Sequence, residues 1–104
     1  MSAKFKLDPN PTFDAPVPVP VHGKGTHNVR FTFKHMSKDQ LADVSASAKD
    51  MTEVESIKAV ALGWELDDEF NDENIQKLIQ NYQGAGSAII STYLSEIRQA
   101  RMEN

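Results

Sequence analysis

At 104 residues the chain has the length of one domain, and with no cysteine it holds no disulfide, thiolate zinc site or cysteine nucleophile. Its formal charge of −4 is uneven: residues 1–36 carry five basic and two acidic side chains, residues 37–104 six basic and thirteen acidic. Phosphate binding draws on clustered Lys and Arg, so nucleic acid is disfavoured as a partner.

Residues 1–11 combine Lys4, Lys6, Asp8, Pro9, Asn10 and Pro11 and read as a poorly ordered lead-in. No apolar h-region follows the N-terminus, and no apolar run nears the ~20 residues that span a bilayer. The expectation is a cytoplasmic protein that does not span a membrane. Phe13, Ala15, Val17, Val19 and Val21 then alternate with Asp14, Pro16, Pro18, Pro20 and His22, the period of a strand with one apolar face. Proline cannot donate to a ladder, so this strand belongs at a sheet edge, bulged or partly polyproline-like. His22-Gly23-Lys24-Gly25-Thr26-His27 supplies a glycine-bearing hairpin loop. A second strand follows, with Val29, Phe31 and Phe33 on one side and Arg30, Thr32 and Lys34 on the other.

From Ser37 the period changes. Ser37 with Gln40 forms a capping box and opens a helix whose stripe, Leu41, Val44 and Ala48, is narrow. Thr52 with Glu55 opens a second, with Val54, Ile57, Val60 and Ala61 on one face. Gly63 is read as its stop, followed by Trp64. Residues 65–73 hold six acids and no base, a loop. Asn71 or Asp72 caps a third helix with Ile75, Leu78, Ile79 and Tyr82 on its buried side. Gln83-Gly84-Ala85-Gly86 breaks it. The last helix, from about Ser87 to Arg101, buries Ile89, Ile90, Tyr93, Leu94 and Ile97. The class is α+β: a β-hairpin at 12–36 and a helical part of about four helices at 37–104, in one domain over 1–104.

Constellations that could carry chemistry fall short. Asp67, Glu69 and Asn71 match the first three ligand positions of a calcium loop, but Asp72 stands where Gly is required and Leu78 where a bidentate Glu belongs. His22 and His27 flank the hairpin loop with no third ligand fixed nearby. No serine sits in a nucleophile motif, and no glycine loop cradles phosphate. No catalytic residue, metal or cofactor is therefore assigned. The candidate partner-binding residues are Val17, Val19 and Val21 on the edge strand, Leu41, Val44 and Ala48 on the narrow helix, and Trp64. The tryptophan reads either as a core anchor or as an interface hot spot. Gly63, Gly84 and Gly86 are read as structural corners.

Several phrases in order resemble a family. They are Phe5-Lys6-Leu7-Asp8-Pro9-Asn10-Pro11-Thr12-Phe13, Val29-Arg30-Phe31-Thr32-Phe33-Lys34-His35, Gly63-Trp64, Tyr82-Gln83-Gly84-Ala85, and Tyr93-Leu94-Ser95-Glu96-Ile97-Arg98-Gln99-Ala100-Arg101. Together they are similar to the tail assembly chaperones of long-tailed bacteriophages and prophages. Gln83 and Gly86 depart from the Tyr-Pro-Gly-Ala-Ala that relatives often carry at the helix corner. The resemblance implies a non-catalytic helper in the host cytoplasm, absent from the mature virion. Such a helper binds the tape measure protein and recruits tail tube subunits, and many are also made in a longer, frameshifted form. An unpaired hairpin edge would allow self-association into a ring or spiral. Alternatives are a minor virion completion or joining protein, and a prophage-encoded inhibitor of a host enzyme.

Overall fold

A computed structural model describes residues 7–99. The first six residues of the lead-in and the expected helix end at Arg101 lie outside that range.

Strand β1 (Thr12–Val21) and strand β2 (Gly25–Lys34) form the expected antiparallel hairpin, with Val17 opposite Val29 and Ala15 opposite Phe31. The turn is tighter than the glycine-rich stretch suggested. Lys24 N–H donates to the Val21 carbonyl at 2.9 Å, and Gly23 and Gly25 both adopt φ of 76°, a region open to glycine at little cost. Ala15, Val17, Val19, Val29, Phe31 and Phe33 all point inward and are buried.

Helix α1 (Lys38–Ser47) starts on the capping box, with Gln40 N–H donating to Ser37 Oγ and Ser37 N–H to Gln40 Oε1. One 3₁₀ turn over Ala48–Asp50 leads to helix α2 (Glu53–Val60), capped in the same reciprocal way by Thr52 and Glu55. Helix α3 (Asp72–Asn81) is capped by Asn71, whose side chain accepts from Asn74 N–H. Helix α4 (Ala85–Gln99) closes the described fold.

One element departs from the sequence reading. Helix α2 ends at Val60, and Ala61–Trp64 forms a third strand, β3, antiparallel to β2. Gly63 therefore does not stop a helix. It lies within β3 opposite Thr32, with open space where a side chain would be. The register steps between Thr32 and Phe33, so Leu62 is left unpaired at a bulge and half exposed. The sheet order is β1-β2-β3, and β2 has both of its edges filled.

The inner face of the sheet packs chiefly on α4. An aromatic cluster joins the layers: Phe33 lies 5.4 Å from Tyr93 and 5.6 Å from Phe13, ring centroid to centroid. Ile57, Ile75 and Ile89, all fully buried, complete the core from α2, α3 and α4. Each such side chain contributes about 1.5–3 kcal/mol of transfer free energy. Helix α1 contributes no buried residue.

Candidate partner-binding surfaces

The expected binding residues separate into three groups. Val17 and Val19 leave the candidate surface, since both are sealed in the core at 0% and 3% exposure. The prolines that mark β1 as an edge strand face outward, so the row between them faces in. Val21, at the end of the strand, remains partly exposed.

The ladder also shows what the free edge of β1 can do. His35 N–H donates to the Pro11 carbonyl, which places residues 11, 13, 15, 17, 19 and 21 in the pairs that bond to β2. The Arg30 carbonyl, opposite Pro16, turns the other way and accepts from Glu65 N–H. The backbone of Pro16, Pro18 and Pro20 therefore faces the open edge, and proline has no N–H to offer there. The ring of Pro20 is further flanked by the α3–α4 corner, where a Cβ on Gly84 would come within 2.8 Å of its Cγ. Of the edge-facing residues 12, 14, 16, 18 and 20, only Thr12 and Asp14 keep an N–H, so this edge offers few donors for strand addition or for pairing into a ring or spiral. Gly86 is a second close approach in that corner: a Cβ there would overlap the Glu53 carboxylate.

Leu41 and Val44 of α1 and Ala48 of the 3₁₀ turn do line a surface. Across a cavity of about 250 Å³ they face Val60 of α2 and Ile90 and Leu94 of α4. On the other side of the Leu41–Ser45 ridge lies a larger groove of about 630 Å³ between α1 and the end of α4. Met36, Leu41 and Ile97 give it an apolar floor, and Lys38 and Arg98 stand among its lining residues. The α4 stripe is thus wider than the rest of the domain covers. Ile90, Leu94 and Ile97 stay half-buried beneath a thinly attached helix.

A second apolar surface lies at the hairpin-loop end. Leu66 and Tyr82 are 38% and 41% exposed and, with Leu78, they line two adjoining hollows of about 170 and 180 Å³. Val21 and His27 border one hollow and Trp64 the other. Tyr82 was expected on the buried stripe of α3, but it is the residue at which the helix ends, with φ −127° and ψ 88°, and this turns it off the stripe. Trp64 serves chiefly as an anchor. It meets Phe31 and Phe70 edge-on at 5.8 and 5.0 Å, and its indole N–H donates to the Asp68 carbonyl, pinning the acidic loop.

The signals for Leu66 and Tyr82 were present but faint: one leucine in an acid run, and one aromatic at a helix end. Nothing local marked Met36, Ile97, Lys38 and Arg98 as neighbours. His22 and His27 are exposed, and among the described residues no three His, Cys, Asp or Glu side chains come together to hold a metal ion. No described helix is long and apolar enough to cross a membrane.

Compared with known proteins, residues 1–104 match the family model described as phage tail assembly chaperone. No curated protein and no solved structure matches the chain.

Proposed function

The chain belongs to the phage tail assembly chaperone family, and from that premise we propose that it is a non-catalytic chaperone that binds the tape measure protein and recruits tail tube subunits. The observation that supports this two-partner role is the pair of apolar surfaces just described. The α1–α4 surface and the Leu66–Tyr82 surface share no lining residue, so one molecule has room to hold two partners at once. Both are open to solvent, which suits contacts that must be released as the tube polymerises. Affinity then comes from many weak contacts along a long partner rather than from one tight interface. The chaperone acts in the host cytoplasm and is left out of the finished particle.

Co-expression with the tape measure protein and with the tail tube protein tests the proposal. The expected result is co-purification with each, and absence of the chain from purified particles by mass spectrometry. Failure to associate with either at high concentration, or stoichiometric presence in the particle, overturns it.

A further inference from the structure

We propose that the groove between α1 and the end of α4 receives an amphipathic helix that carries acidic side chains beside its apolar stripe. This deepens the chaperone reading by stating the chemistry of the segment received.

The groove lining comes from helices and the short Met36-Ser37 link. It offers no strand edge, so an incoming extended segment would leave its backbone N–H and C=O groups without partners. A helix brings its backbone bonds already made and needs only apolar contact. The floor of Met36, Leu41 and Ile97 provides that contact, and about 630 Å³ lies within the range of ligand-binding clefts, roughly 300–1,000 Å³.

Charge selects among helices. Lys38 and Arg98 both line the groove, and neither makes an ion pair with any described residue. The groove-lining positions of α1 are 38, 41, 42 and 45, one helical face. Asp39 and Asp43 fall off that face, and Glu96 of α4 is not in the lining. Lys38 is also the first residue of α1, where the positive end of the helix dipole disfavours a cation. That placement lowers the stability of α1 and raises the positive potential at the groove. A helix with acidic flanks satisfies both cations, whereas one with basic flanks meets like charge.

The test uses two labelled synthetic peptides of equal length with the same Leu/Ala stripe, one flanked by Glu and one by Lys, titrated into the full chain by fluorescence anisotropy. The Glu-flanked peptide is expected to bind about tenfold more tightly, the scale of two solvent-exposed ion pairs acting together. The gap should narrow as salt rises from about 0.05 to 0.5 M. The variant K38E/R98E, with both changes at exposed positions, should lose or reverse the preference while still unfolding cooperatively, the gain expected at the start of α1 offsetting the loss at the end of α4. Equal affinity for the two peptides, binding of neither, or an unchanged preference in K38E/R98E overturns the proposal. So does peptide binding that disappears as the protein dimerises, since a second copy is then the occupant. No tail protein enters this assay, so a negative result leaves the co-purification test standing, and the reverse also holds.

Discussion

The hydroxyl of Tyr93 donates a hydrogen bond of 2.9 Å to the main-chain carbonyl of Lys34, tying the middle of α4 to the last residue of β2. The tyrosine is fully buried, stacked on Phe13 and tilted against Phe33, and burial raises its pKa above the ordinary value near 10. Y93F removes the bond and keeps the ring, so a loss of about 1 kcal/mol is expected in denaturant unfolding. The pH dependence has a definite sign. The unfolded chain releases this proton near pH 10 while the folded chain retains it, so the contribution is complete below pH 10 and lost as pH rises beyond it. Stability of the wild type should fall more steeply above pH 10 than that of Y93F, measured by urea midpoints across that range.

Helix α1 should open long before the domain unfolds. It packs only the partly buried Leu41 and Val44 against the core and rests over cavities, so little apolar area is lost when it lifts. Native-state hydrogen exchange should show α1 amides exchanging by local opening, while the amides of β2 and α4 exchange only near the global free energy. Equal protection of α1 and β2 would contradict this.

Restoring donors to the open edge of β1 should make the protein associate. P16T/P18T returns two outward N–H groups without touching the buried row of Ala15, Val17 and Val19. Light scattering is expected to show oligomers at concentrations where the wild type shows none.

The glycine corner gives a coupled pair. G84A forces a methyl group toward the rigid ring of Pro20, and overpacking of this kind costs about 1–3 kcal/mol. Shortening the partner as well, in P20A/G84A, should recover most of the loss. The coupling measured in a double-mutant cycle should therefore be of the same order.

The fold was legible wherever its cause was local. The alternation through Val17, Val19, Val29, Phe31 and Phe33 gave the hairpin and its buried face, and Ser37–Gln40 and Thr52–Glu55 marked two helix starts to the residue. Strand β3 was hidden because Val60 and Ala61 continue the helical spacing of Val54 and Ile57. What turns the chain from Ala61 onward into a strand is the open edge of β2 at Phe31–Phe33, a partner remote in the chain. The thin stripe of α1 was visible in its small residues, and the structure leaves that helix without a buried side chain. The edge strand misled in the opposite direction: its prolines signalled exposure, but the valines between them are what the sheet encloses. The groove shared by Lys38 and Arg98 has no local signature, since the two residues are sixty positions apart in the chain.

The thin attachment of α1 also bears on how such a protein can change over generations. Its amino acids answer to whatever lies against them from outside and scarcely to the interior of the domain. Substitutions on its outer face can accumulate without putting folding at risk, while β2 and α4 hold the architecture constant.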